Sequence, residues 1–456
     1  MTDAKKIGLF AATALVAGNM MGSGIALLPA SLAKIGSISI YGWILCTIGA
    51  MSLAYVFARL GTINPQSGGP VAYAGEVAPI LGYQSGVLYY HSNWIGNLAI
   101  AVTGVSYLAV FFPALHDTIP AAVATIAAVW VLTLVNLIGA DWVGKLVSVG
   151  VILLLIPVVL TGTIGWFNFD ASQFVNNWNT TNGDSNFHAF ISSVVLCIWA
   201  FIGLESASVG AGLVKDPKRT IPLSTIIGTG TAALVYILST SAMMGMFQAE
   251  TLANSGAPFA LSMSVIFGGS WIEPVVSAVT AFACFASLGS WMMLTAEAGA
   301  RSAKEGYFPK IYGERTASGT PRKGIIIEAI QMTILMLILV LLQSEGDSAD
   351  LFGSIASIAV LTVLLPYLYS CLNFIAINGF HRGVILQLTA GLIGALFCMV
   401  ALYGAKGEGL AEATIISLII LIFYCRWDNE QKQNKLNIPK PAPTSVPGID
   451  PNEVSK

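Results

Sequence analysis

Residues 18–30 read GNMMGSGIALLPA and residues 199–212 read WAFIGLESASVGAG, each inside a long apolar run. Within a bilayer the backbone must satisfy its own polar groups, so irregular chain at mid-depth is tolerable only where it lines a cavity. Gly22, Ser23 and Gly24 fall near the middle of the first run, and Gly203, Leu204, Glu205 and Ser206 near the middle of the second. Interruptions at corresponding places in two halves of a chain point to a transport site. A small-residue patch for close helix packing is the alternative. A second break at matched depth, carrying a carboxylate, weighs against it.

The rest of the chain supports a membrane setting. Of its 456 residues 55% are hydrophobic and only 10% charged, against roughly 25% charged in ordinary globular proteins; the mean hydropathy is +0.77. So few polar side chains cannot cover a water-facing surface of this size, which leaves an all-α integral membrane protein and sets aside disordered, disulfide-rich and nucleic-acid-binding classes. At roughly 20 residues per crossing there is room for about a dozen helices. Apolar runs predict twelve spans, near 9–33, 40–62, 84–112, 120–139, 146–168, 189–213, 222–246, 272–300, 324–343, 352–378, 384–404 and 409–427. Lys5 and Lys6 before the first run resemble a signal peptide, but the run is too long and lacks a cleavage site. All six cysteines lie in apolar runs without metal spacing and read as packing residues.

Spans 1 and 6 are five helices apart, so they enter the membrane from opposite sides. The expected organisation is a cytoplasmic N-terminus (1–8), an inverted repeat of 9–168 and 189–378 with helices 1 and 6 broken, two further helices (384–427) and a disordered polar tail (428–456). Of 21 Lys and Arg, only Lys34 and Lys406 fall in outward connections if the N-terminus is cytoplasmic. The positive-inside rule then places both termini in the cytoplasm.

Unwinding at Gly22–Gly24 frees amides whose partial positive charge holds a carboxylate, and Ser23 adds a hydroxyl; freed carbonyls at the other side of the break accept from an ammonium. An α-amino acid presents both groups. Glu205 at mid-membrane is a functional hypothesis by default, the alternative being a carboxyl that pins the unwound loop. With no Lys or Arg in the middle of any span, the missing cation is expected to be the substrate. Trp199 and Trp291 lie at mid-depth, where an indole face attracts an ammonium. Tyr89, Asn93 and Asn97 recur every four residues on one face of helix 3, beside Tyr90. Ser354 and Ser357 lie near a stripe with Tyr367 and Tyr369, and His91 reads as a packed neutral imidazole. No Ser/His/Asp set, metal cluster or phosphate loop is visible, so neither an enzyme nor a cofactor or metal is expected.

GNMMGSGIALLPA, the QSGG at 66–69 with Tyr73, GVLYYHSNWIGN at 86–97, WAFIGLESASV followed by KDPKRTIP, LGSWMML at 288–294, EGYFPKIYGERTASGTP at 305–321 and LLPYLYSC at 364–371 together resemble the basic amino acid/polyamine antiporters of the amino acid, polyamine and organocation superfamily. The likeness runs from about residue 5 to 427. It implies a twelve-helix homodimeric exchanger in a bacterial inner membrane that imports an amino acid, with lysine for cadaverine the first expectation, and exports the product of a cytoplasmic decarboxylase in acid stress. Ornithine/putrescine, arginine/agmatine and proton-coupled symport are the alternatives. By the same resemblance Gly22, Ser23 and Gly24 would hold the α-carboxylate and Met20 the α-amino end. Trp199, Ile202 and Trp291 would line the aliphatic stem, and Asn93, Asn97 and Ser357 would receive the distal cation. Tyr73, Tyr89, Tyr90 and Tyr367 would gate the path, and Glu205 would serve polyamine recognition or a proton-dependent step. Glu297, in LTAEAGARS, departs from the family pattern and would add a second titrating group.

Overall fold

The computed structural model describes residues 8–21, 24–63, 69–138, 140–181, 183–205, 214–316, 319–342, 348–378, 384–404 and 418–428. The first span is two helices, α1 (Leu9–Met21) and α2 (Leu28–Ala33), with a turn over 24–27 between them. Pro29 lies in the first turn of α2, where its missing N–H costs nothing. Next come α3 (Ser39–Ile63), the short α4 (Gly69–Val77) and α5 (Pro79–Leu108). α6 (Thr118–Ile138) and α7 (Ala140–Thr163) are followed by a short α8 (Ala171–Asn176), capped by the Asp170 carboxylate, which accepts from the Ser172 amide at 2.7 Å.

The second half opens on α9 (Asn186–Trp199), capped by Ser185. It stops at Trp199. Residues 200–204 then run through successive three-residue turns, in which the amides of Ala200, Phe201, Ile202 and Leu204 bond the carbonyls of Cys197, Ile198, Trp199 and Phe201. Gly203 takes φ +105°, a left-handed conformation that a side chain would resist. The next helix among the described residues is α10 (Pro217–Met246), followed by the short α11 (Ala249–Ala253) and α12 (Pro258–Phe267). The long helices α13 (Ile272–Lys304), α14 (Arg322–Leu342), α15 (Ser348–Asn378) and α16 (Ile385–Gly404) complete the fold, with residues 418–428 also helical. The short helices α4, α11 and α12 have no counterpart in the hydropathy reading, since none is long enough to register as a span.

Seven of these helices, α3, α6, α10, α13, α14, α15 and α16, are long and apolar enough to cross a membrane. α5 matches them in length at 30 residues. Their outer faces expose apolar side chains such as Val123, Leu134 and Ile138 on α6 and Ile334, Leu337 and Leu341 on α14, as lipid contact requires. The chain is a multi-pass membrane protein. Five of the six cysteines are buried as packing residues, whereas Cys425 is exposed on the helix at 418–428, facing outward rather than into the core.

α5 is the central post: every residue from Ser92 to Tyr107 is buried. It packs on α13 and α15, while α13 also packs on α7, α1 on α10, and α9 on α3. Those adjacencies persist when each of the first five spans is exchanged for its counterpart five later: the α5–α15 contact maps onto α13–α7, and α1–α10 onto α9–α3. Glycine admits the closest approaches. A Cβ on Gly49 would lie 2.1 Å from the Phe397 ring of α16, whereas one on Gly230 would meet nothing nearer than 3.8 Å. Gly49→Ala should therefore cost about 1–3 kcal/mol by overpacking and lower the thermal midpoint of the detergent-purified protein, while Gly230→Ala should not; in a Phe397→Ala background, itself destabilised, Gly49→Ala should cost little further.

Candidate functional site

Between the two broken helices lies a cavity. Its walls come from Asn19, Met20 and Gly24 around the first break, Ser92, Asn93, Gly96, Asn97 and Ile100 on α5, Trp199 and Ile202 at the second break, and Trp291 on α13. Seven of the sequence-derived candidates, Met20, Gly24, Asn93, Asn97, Trp199, Ile202 and Trp291, thus meet around one space. Gly22 and Ser23 lie outside the described residues.

The tryptophans are held by glycines. The Trp199 indole lies against both Gly24 and Gly96: a Cβ on Gly24 would come 3.5 Å from its Nε1, and one on Gly96 3.1 Å from its six-membered ring. Trp291 presses on Gly203, where a Cβ would lie 3.2 Å from Cζ2. Each close approach joins a break to a cavity wall. Tyr107 secures the first break from outside, donating to the Ala26 carbonyl at 2.7 Å. Met20 lies beside Thr229 of α10, its sulfur 3.9 Å from the hydroxyl.

Glu205 is buried beside the cavity rather than in its wall. Its carboxylate accepts from the Tyr89 hydroxyl at 2.9 Å, the Tyr367 hydroxyl at 2.7 Å and the Gly203 amide at 3.2 Å. Two of the expected gating tyrosines therefore share one acceptor. Tyr367 also packs edge-on against Phe57, which in turn touches Tyr73. Tyr90 points elsewhere, donating to Gln331 of α14 at 2.8 Å and packing against Phe308 and Tyr312. His91 lies between the Tyr90 and Trp94 rings with Nδ1 2.8 Å from the Val87 carbonyl, so that nitrogen carries a proton.

Two candidates stand apart. Ser357 is not in the cavity wall; its hydroxyl donates to the Gly353 carbonyl one turn back at 2.7 Å. Glu297 is exposed and forms a paired bridge with Arg315, at 2.9 and 2.7 Å. That carboxylate holds the Arg315 guanidinium above its usual range. A second buried carboxylate, Glu328 on α14, is absent from the sequence reading. It is fully buried and accepts from Asn97 at 2.6 Å. The available signal was an acid five residues into GIIIEAIQM, masked by the cationic helix start at Arg322–Lys323.

Among the described residues the buried ionisable acids are Glu205 and Glu328, and no Lys or Arg is buried. Trp199 Nε1, a donor, and Asn93 Oδ1, an acceptor, both on cavity-lining residues, are buried with no hydrogen-bond partner in the protein. Such groups are the exception in folded proteins. The surroundings combine an apolar, aromatic middle with polar ends and two buried carboxyl groups nearby, which suits an elongated ligand carrying at least one cation.

The amino acid permease family model matches residues 7–436. Over 438 residues the chain is 55% identical to the cadaverine/lysine antiporter of Escherichia coli strain K12, covering 96% of this chain and 98% of that protein. It is 34% identical over 419 residues to the putrescine transporter PotE of Haemophilus influenzae, covering 91% and 95%, and 34% identical over 427 residues to PotE of Escherichia coli strain K12, covering 92% and 96%. With broken helices around a buried, acid-flanked cavity and a match spanning nearly its whole length, the chain belongs to the amino acid permease family.

Proposed function

We propose that the protein exchanges external lysine for internal cadaverine, one for one. The observation that carries this reading is the pair of buried carboxylates flanking an aromatic cavity with no buried Lys or Arg among the described residues. An apolar interior holding two acids and no base is a site for a cation. The cadaverine/lysine exchange of the relative that is 55% identical over 96% of the chain favours lysine and cadaverine over other basic pairs. The more distant putrescine transporters leave ornithine and putrescine as the second choice.

In this reading the lysine carboxylate lies at the first break, near Gly22, Ser23 and Gly24, within reach of the Trp199 indole N–H. The aliphatic stem passes between Trp199, Ile202 and Trp291, and the distal ammonium reaches Asn93 and Asn97. Cadaverine lacks the carboxylate and brings a second ammonium, for which Glu205 is the counter-ion. Tyr89 and Tyr367, both hydrogen-bonded to Glu205, would sense its charge and gate the path together with Tyr73. The twelve-span inverted repeat is part of the proposal, supported by the helix adjacencies that interchange between the two halves. So is a cytoplasmic-membrane location with both termini inside, supported by the distribution of Lys and Arg. A homodimer, and supply of the diamine by a cytoplasmic decarboxylase, complete the picture. Because decarboxylation of lysine consumes a proton, export of the dication would remove acid without a free proton crossing.

Exchange of a monocation for a dication moves net charge outward. In proteoliposomes, lysine uptake should require cadaverine or lysine inside and should speed up or slow down with an imposed membrane potential. Uptake into empty vesicles driven by a proton gradient alone would replace exchange with symport. Glu205→Gln should impair cadaverine transport more than lysine transport, by about tenfold or more, since removing one partner of a buried charge pair costs roughly 2–5 kcal/mol. Equal losses for both substrates, measured side by side in counterflow, would reduce Glu205 to a support for the break.

A further inference from the structure

Glu328 lies behind the cavity, on a helix that contributes nothing to its wall. Its Oε1 accepts from Asn97 Nδ2 at 2.6 Å, and the same nitrogen lies 3.1 Å from Thr295 Oγ1. Thr295 spends its own proton on the Trp291 carbonyl at 2.8 Å, so toward Asn97 its oxygen accepts. Both amide hydrogens of Asn97 are therefore committed to acceptors on α13 and α14. An amide facing a carboxylate and a committed hydroxyl has only one sense, nitrogen toward them. What Asn97 has left to offer the cavity it lines is its carbonyl oxygen. Glu328 Oε2, fully buried, has no hydrogen-bond partner in the protein.

We propose that Glu328, acting through Asn97, makes this end of the cavity selective for a cationic side chain over a neutral one of the same length. Resting on the lysine reading above, this gives the distal ammonium an oriented acceptor backed by a buried carboxyl group, whose charged form a bound cation would favour. A neutral chain would fill the same space, but would leave Asn97 and Glu328 without a cation, and sites built around polar partners reject analogues that lack them far more strongly than sites that merely measure size. The two buried acids then have separate tasks. Along α5, Tyr89, which holds Glu205, and Asn97, which holds Glu328, are eight residues apart, about 12 Å at 1.5 Å per residue. Glu205 would answer to the second charge of a diamine, and Glu328 to the charge that lysine and cadaverine share.

The test is counterflow in proteoliposomes, with lysine and its neutral isostere 2-aminoheptanoic acid, in which a methyl group replaces the terminal ammonium, competing for uptake of labelled lysine. Wild-type protein should prefer lysine strongly. Glu328→Gln should lower that preference about tenfold or more, the worth of a hydrogen bond to a charged group, while Glu328→Asp, which keeps the charge, should retain most of it. Undiminished preference in Glu328→Gln, or equal loss in both variants, overturns the proposal. Should Glu328→Gln fail to insert, Asn97→Ala leaves Glu328 in place and removes its link to the cavity; retained preference there would equally overturn it. Wild-type protein that does not exchange lysine at all would instead overturn the functional reading on which the proposal stands.

Discussion

An unpaired backbone group in hydrocarbon costs several kcal/mol, and this chain interrupts its helices at two places inside the membrane region. Both interruptions are tolerable for the same reason. They are sealed by protein rather than lipid: Tyr107 caps the Ala26 carbonyl at the first, and a run of tight turns re-pairs the amides of residues 200–204 at the second. The space that remains between them is the cavity. Its aromatic walls follow from the breaks as well, because the glycines that permit non-helical backbone also let Trp199 and Trp291 come into contact with it.

Glu205 joins this backbone geometry to side-chain chemistry. The Gly203 turn brings its amide to the carboxylate two residues on, and the same carboxylate accepts from tyrosines of α5 and α15, elements distant in sequence. One carboxylate thus ties together the second break, the central post and a helix of the opposite half. On the proposed function, a change in its charge or its occupancy by a ligand would alter all three contacts at once and so give a local binding event leverage over the helices it joins.

Much of this was legible in the sequence because membranes constrain it so tightly. Hydropathy and glycine-rich breaks located the long helices and the points where they fail, and seven of the site candidates do line one cavity. What was not legible depends on which face a residue presents and on where a helix tilts. Ser357 is one turn from a stripe that matters but spends its hydroxyl on its own helix. Glu297 has the composition of a titrating group in a pathway and the position of an exposed partner for Arg315. Glu328 was hidden by the opposite error: near a cationic helix start an acid reads as an interfacial residue, and only the packing of α14 against α5 and α13 shows it to be fully buried.

The four-residue recurrence of Tyr89, Asn93 and Asn97 turns α5 into a graduated rule. Its marks are fixed by helical rise, and with every residue from Ser92 to Tyr107 buried against its neighbours or the cavity the rule does not readily stretch or slip. Any ligand lying along it is therefore measured in whole turns. Divergence toward shorter or longer substrates on this scaffold has to proceed by changing which marks carry a polar group, or by changing the acids that stand behind them, because the spacing itself is not available to selection.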